Sequence, residues 1–405
     1  MASVGERPGR ARAALWLRRV LFFGLVGWWT VEATRWLTDV FAANGLSWPE
    51  LGVLVVFVAT FAWISLFFWT AVIGFGLRLF RLDRSPLLAD LGPGEDAAAP
   101  LGTRTALLMP ICHEDVERVF AGLAATYRSL AATGHADAFD IFVLSDSSEP
   151  RVCLDEEAAW ARLCREVHHG QGGGRVYYRR REDRAGRKAG NVAEFCRRWG
   201  RRYDHMVVLD ADSVMSGDTL VRLARLMEAN PRAGLIQTLP VPVNRETLFA
   251  RVQQFACRLY GPLFATGLAW WQGDDANFWG HNAIIRTAAF IGHCGLPHLP
   301  GRPPLGGEIM SHDFVEAALL RRAGWEVWFV PELGGSFEEL PPSILDYAKR
   351  DRRWCQGNLQ HLRLLFARRL RGMSRLHLVM GVMSYCASPL WFLLILLSSV
   401  EAIRY

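Results

Sequence analysis

Residues 203–213 read Y-D-H-M-V-V-L-D-A-D-S. Met206, Val207, Val208 and Leu209 form a short, unbroken apolar run of strand-forming residues that stops at Asp210. Such a run suits a strand buried on both faces of a parallel sheet. Asp212 follows with only Ala211 between. Acids at the end of such a strand stand where open α/β sheets place their ligands. Two carboxylates this close can reach one hard divalent cation and the diphosphate it neutralises. Taken alone, the pair fits a strand end running into an Asp-rich turn at least as well, so the flanking chain has to decide.

Upstream, strand-like runs at 105–109, 140–144 and 175–178 alternate with helical patterns at 116–131, 156–167 and 188–199. Downstream come a helix at 219–228 and a strand at 234–237. Alternation of this kind predicts a mostly parallel sheet covered by helices. This soluble region occupies about 104–371, behind a linker at 85–103 rich in Pro, Gly, Ala and acid.

The totals point to a membrane as well. The chain has 405 residues, enough for a large core, yet 51% are hydrophobic and 16 are Trp, both high for a soluble enzyme. Residues 51–77 carry no charge, and residues 20–40 carry few, with Glu32 and Arg35 one helical turn apart. A cleaved signal peptide is the other reading of the first segment, but the bulky Trp28, Trp29 and Trp36 leave no convincing cleavage site. Residues 376–400 form a third apolar stretch, with His377 its one ionisable group and Pro389 a possible kink. Arginines cluster in the basic segment 1–19, after 77 and before 376, and the link between the first two spans has neither Lys nor Arg. The positive-inside rule puts the N-terminus and the 104–371 region in the cytoplasm. The +6 net charge is thus read as topology and contact with the lipid bilayer. No RNA- or DNA-binding motif is visible, so nucleic acid is not an expected partner. The 8 Cys show no C-x-x-C pair, which argues against a disulfide framework or structural zinc. The chain stops barely past the third stretch, so a truncated chain is expected.

Four further stretches belong with Asp210 and Asp212. They are P-I-C-H-E-D (Pro110–115), L-S-D-S-S (144–148), R-K-A-G-N (187–191), and the pair S-H-D-F (311–314) and R-D-R-R-W-C-Q-G-N-L (350–359). With F-W-G-H-N-A-I-I-R (278–286), this order resembles the processive family 2 glycosyltransferases over about residues 100–400. Several spaced motifs in one order are far more specific than any one of them.

The resemblance implies a GT-A-type, Rossmann-like α/β catalytic domain inserted between transmembrane helices. Within the family the wording is similar to members that build osmoregulated periplasmic glucans. It implies an inverting, bacterial inner-membrane enzyme that moves glucose from UDP-glucose onto a growing β-1,2-glucan chain. Acyl carrier protein is a partner by the same route. Another polysaccharide synthase, of cellulose or hyaluronan type, is the alternative, and a catalytically dead nucleotide-sugar-binding regulator is a second.

Carried onto this chain, Pro110, Glu114 and Asp146 would cradle the nucleoside, although Asp146 at a strand end could equally cap a turn. Lys188 would sit by the diphosphate; a solvated helix-start lysine is the plainer alternative. Asp210 and Asp212 would hold the donor through Mg2+ or Mn2+, with Asp212 the direct ligand. Asp313 is the candidate general base, and also a favourable acid at a helix N-terminus. Here the pattern is S-H-D where the family has T-E-D. Arg350, Arg353 and Trp354 stand where the family has Q-x-x-R-W. Arg353 suits phosphate and Trp354 a sugar face, while an amphipathic interfacial helix explains the same stretch. Gln356 could restore the missing amide. Gly280, His281 and Asn282 would line the acceptor path. Trp270, Trp271, Phe278 and Trp279 suit sugar stacking, core packing or a membrane-facing surface.

Overall fold

A computed structural model describes residues 9–42, 45–89, 99–169 and 173–404. Most of the basic segment ahead of Gly9, Asn44 of the short link, and 90–98 of the linker lie outside the described residues.

Two long helices open the chain, α1 (Gly9–Ala42) and α2 (Trp48–Leu79), followed by the single turn α3 (Pro86–Ala89). The sheet domain then runs β1 (Thr105–Ile111), α4 (Val116–Ala131), β2 (Phe139–Ser145), α5 (Pro150–His169), β3 (Arg175–Arg180), α6 (Arg187–Arg198) and β4 (His205–Val208). Next come β5 (Val214–Met215), α7 (Gly217–Ala229), β6 (Ala233–Thr238), β7 (Val241–Pro242) and α8 (Leu248–Gln272). The remainder is β8 (Ala283–Arg286), α9 (Thr287–His293), α10 (His312–Arg322), β9 (Glu326–Val330), β10 (Ser336–Glu338), α11 (Ile344–Leu364) and α12 (Gly372–Arg404).

The main sheet has seven strands in the order β3-β2-β1-β4-β8-β6-β9. β3, β2, β1 and β4 run parallel, and β8 is antiparallel to both neighbours, β4 and β6. β2 and β4 are buried along their whole length, as their unbroken apolar runs require. β3 lies at the edge and carries Arg175, Arg179 and Arg180, charges that discourage further strand pairing. A small second sheet, β5-β10-β7, stands beyond the ends of β4 and β6. Helices cover both faces for ordinary reasons. In α4 the Asp115 carboxylate caps the Arg118 N–H at 3.1 Å, and Val119, Phe120, Leu123, Tyr127 and Leu130 share one buried face.

Three described helices are long and apolar enough to cross a membrane: Arg12–Ala42, Trp48–Leu79 and Gly372–Ile403. At 31 to 32 residues each exceeds the roughly 20 that a bilayer core needs. α12 runs on through Pro389. Apolar side chains such as Trp28, Val55, Phe75, Phe392 and Leu396 remain exposed along them. Glu32 and Arg35 pair at 3.3 Å, as their spacing predicts.

α8 ties these helices to the sheet domain. A Cβ at Gly74 would overlap the Leu263 carbonyl, and one at Gly267 would overlap the Thr70 carbonyl, so α2 and α8 cross backbone to backbone. Trp271 is fully buried, stacks on Phe22 at 5.1 Å and donates from its indole N–H to Thr70 at 3.3 Å. Trp271 and Phe278 are therefore core residues and unavailable to a sugar. Arg19 of α1 pairs with Asp275 at 2.9 Å and donates to the carbonyls of Trp271 and Gln272. Arg321 and Arg371 also face Asp275.

Candidate active site

Parallel strands aim their carboxyl ends at one edge, and the site lies there. β4 ends at Val208, and the next four residues carry Asp210 and Asp212 into the turn before β5. The Asp210 N–H donates to the Ser213 hydroxyl at 3.0 Å, which fixes that turn. Lys188, in the first turn of α6, donates to the Asp210 carboxylate and to the Gly280 carbonyl, the latter at 2.7 Å. Gly280 has φ +90°, and a Cβ there would lie 3.4 Å from an oxygen of Asp313. The positive φ is what calls for glycine here. The candidate base thus sits against the same backbone segment that anchors Lys188 and, through it, Asp210.

The remaining walls come from α11 and β10. Arg350 lies 3.9 Å from Asp212 and stacks on Trp354 at 4.4 Å from the ring centre. Trp354 is 42% exposed, leaving an aromatic face open to a sugar. Arg353 is exposed on the same helix and draws on the charge of Glu114. His281 lies 3.4 Å from Glu338 and 4.0 Å from Asp210. Pro110 is the next-to-last residue of β1, paired across to Leu144.

Two expected residues are buried and engaged by protein partners. Asp146 is 5% exposed; Arg181 holds its carboxylate at 2.5 and 2.8 Å, and the Asn191 amide donates to it at 3.0 Å. Arg181 also donates to the carbonyls of Ala185 and Arg187, so this pair braces the R-K-A-G-N loop. Asn282 is fully buried, with φ +51°, and its amide donates to Ser336 at 2.9 Å and to the Phe337 carbonyl at 3.2 Å. It fastens the second sheet to β4. Gln356 is engaged as well, donating to the Pro304 carbonyl at 3.2 Å.

Several residues act here that their sequence context does not single out. Glu338 is one. Another set is Gly357, Gln360 and His361 of α11, which hold the loop before Asp313. Gln360 accepts from the Met310 N–H at 3.0 Å, and the His361 ring donates to the Ser311 carbonyl at 3.2 Å. A Cβ at Gly357 would overlap Ser311. Burial brings the His361 ring down to about 4, with the Ser311 bond opposing, so it is neutral and a fixed donor at pH 7. The R-D-R-R-W helix therefore both lines the cleft and positions the S-H-D loop.

The acids of the cleft differ in charge state. Burial opposes ionisation of Asp210, but Lys188 and then His281 outweigh it and hold the carboxyl well below the usual range. Asp212 is pushed up by burial and then by Asp210. Glu114 is pushed up by burial, then by Asp212 and Asp210. Burial also raises Glu338, against the pull of His281 and Arg350. Asp313 is raised by burial, with His312 opposing and Glu316 reinforcing. Asp210, Asp212, Glu114 and Glu338 lie close enough to act on one another, and Lys188 and Arg350 pair with the first two. Among the described residues no group of three or more His, Cys, Asp or Glu is gathered as a ready ligand shell. Two carboxylates in one cleft nevertheless fit Mg2+ or Mn2+, since Mg2+ sites commonly combine one or two carboxylates with substrate phosphates.

Comparison with known proteins agrees with this arrangement. The glycosyl transferase family 2 model matches residues 107–293, and the glycosyl transferase family group 2 model matches residues 205–404. Glucans biosynthesis glucosyltransferase H of Cupriavidus pinatubonensis is 54% identical over 388 residues, covering 96% of this chain and 44% of the relative. The chain belongs to the family 2 glycosyltransferases. The proteins of the same name from Pectobacterium atrosepticum and Vibrio cholerae are 50% and 51% identical, covering 96% and 98% of this chain. They are covered to 47% and 53% of their own length, so the chain spans about half the length of the curated relatives it matches. A mannosyltransferase from Pyrobaculum calidifontis, solved with GDP-Man and Mn2+, superposes with a TM-score of 0.55. That match covers 85% of this chain and 86% of the other at 15% identity, and it shows that the fold of this family 2 glycosyltransferase is GT-A-like.

Proposed function

We propose that this chain is the catalytic part of an inner-membrane, inverting glucosyltransferase. It takes glucose from UDP-glucose and extends a linear β-1,2-linked glucan. The observation that carries this reading is the junction at Gly280, whose carbonyl holds Lys188 of the Asp210 pair and whose α-carbon faces Asp313. Donor-phosphate and acceptor chemistry meet there. The relatives' name supports glucan as the product class, and the positive-inside pattern supports a cytoplasmic active site.

In this reading Asp210 and Asp212 hold the divalent cation, which when bound neutralises charge on the leaving diphosphate. Lys188 and Arg350 supply further positive charge once their carboxylate partners are otherwise engaged. The acceptor hydroxyl gives its proton to Asp313 as its oxygen bonds to the anomeric carbon. The bond from that carbon to the phosphate oxygen breaks in the same displacement, and UDP departs with the electron pair. A carboxyl raised by burial is a stronger base than an exposed one. Trp354 offers its face to the acceptor sugar, and Pro110 and Glu114 border the nucleoside end.

Transfer of labelled glucose from UDP-glucose, in membranes carrying the chain with Mg2+, tests the reading beside Asp313→Asn. A β-1,2-glucan that disappears in the variant supports it. A β-1,4 or mixed linkage would replace it with a synthase of cellulose or hyaluronan type. Failure to bind UDP-glucose at all would sink it. Acyl carrier protein, implied by the family resemblance, is added to the same assay, where a rise in rate would support it as a partner.

A further inference from the structure

A second cleft, of about 680 Å3, opens away from the active site between the ends of α9, α10 and the segment before α12. Its lining is His293, Leu319, Arg322, Ala323, Arg368 and Arg369. Arg322, Arg368 and Arg369 are exposed, and none forms an ion pair among the described residues. Asp275, the acid that their chain neighbours Arg321 and Arg371 reach, is shared by those two and Arg19. α10 also ends here, and the carbonyl end of a helix disfavours an anion. Three guanidinium groups gathered at such a place leave a strong net attraction for negative charge.

The surroundings say where that charge comes from. Arg368 and Arg369 stand three to four residues before Gly372, where the third candidate span begins. Phe366, next to them, is 86% exposed, and Leu362 and Ile291 are 43% exposed. Apolar side chains turned outward beside arginines at the root of a span are the pattern of a bilayer interface. The geometry points to a headgroup site for an anionic phospholipid: the arginines bind the phosphate and Phe366 enters the acyl boundary. The volume exceeds what a bare phosphate needs and admits a glycerol-linked headgroup. Guanidinium groups suit phosphate oxygens because they can donate in parallel pairs.

The inference rests on the membrane reading above, which alkaline carbonate extraction checks separately; release of the chain by carbonate would overturn both. For the site itself, the full chain is purified in detergent with equimolar phosphatidylglycerol and phosphatidylcholine, and retained lipid is counted by mass spectrometry. The wild type retains phosphatidylglycerol selectively. R322Q/R368Q/R369Q loses that selectivity by at least about tenfold, in line with the several-fold contribution of each basic residue near an anionic surface. R322K/R368K/R369K keeps most of it. R151Q/R162Q/R165Q, which removes the same charge from α5 on the far side of α4, behaves as wild type. Equal retention by the Arg-to-Gln triple would overturn the proposal. So would equal loss from the α5 control, which would indicate non-specific attraction. Displacement of the lipid by equimolar inorganic phosphate would assign the cleft to a soluble anion instead.

Discussion

Two parallel strands of the same sheet lead into aspartates, and the two exits are handled in opposite ways. At the end of β2, Asp146 is buried under Arg181 and Asn191, with both oxygens engaged. Past the end of β4, Asp210 and Asp212 stay about a third open, paired by Lys188 and at longer range by Arg350. A buried acid with a matched cation organises the backbone around it; an open acid whose cations sit on neighbouring elements can exchange them for a ligand. Position at a strand end is shared, so it is the partner that separates bracing from binding.

That contrast is broken or sharpened by experiment, the largest effect first. Asp212→Asn should lower transfer on the order of a thousandfold, the several kcal/mol that a bound cation contributes, with the fold intact by circular dichroism. Chelation with EDTA should do the same and be reversed by Mg2+ or Mn2+. Asp313→Asn should lower kcat by about a hundredfold or more while UDP-glucose binding is kept, because only proton transfer is removed.

Asp146→Asn should act on stability instead. It leaves Arg181 buried without its counter-charge, at a cost of about 3 kcal/mol. The thermal midpoint should fall while the rate per folded molecule changes little. A large loss of rate with the midpoint unchanged would place Asp146 among the binding residues and erase the contrast.

The smallest effect is in pH. Asp212, Glu114 and Glu338 are raised in the folded chain, so it holds protons that the unfolded chain gives up. Without metal, stability therefore falls as pH rises from the ordinary carboxylate range through these raised values. Asp210, held low, contributes the opposite: its stabilisation is present above the ordinary range and lost as pH falls through its lowered value. Added Mn2+ should consequently raise the thermal midpoint more at pH 7.5 than at pH 5. A pH-independent gain would mean that the cation binds elsewhere.

The parts legible in sequence are those whose signal is local. The strands and helices from β1 to β4 follow apolar runs and helical periodicity, and the open acids follow from a two-residue spacing. What escaped depends on contacts far along the chain. β8 is four residues long, and the antiparallel insertion of Ala283–Arg286 between β4 and β6 leaves no local mark. Arg181 lies in the run Arg179-Arg180-Arg181, which resembles a solvated charge cluster until Asp146, 35 residues away, claims it. Glu338 enters the cleft only because β10 joins a sheet with β5 and β7. Asn282 has the opposite history: a polar residue beside Gly280 and His281 invites a place in the cleft, while its buried amide serves the sheet.

The crossing of α2 and α8 carries one more consequence. With Gly74 and Gly267 backbone to backbone, neither helix can slide or roll past the other without collision. The joint is a fixed bearing between the long apolar helices and the sheet domain. Helix α11 is held as closely on its own side, where Gly357 meets Ser311 and Gly381 of α12 meets Asn358, so the cleft wall bearing Trp354 belongs to the same fixed frame.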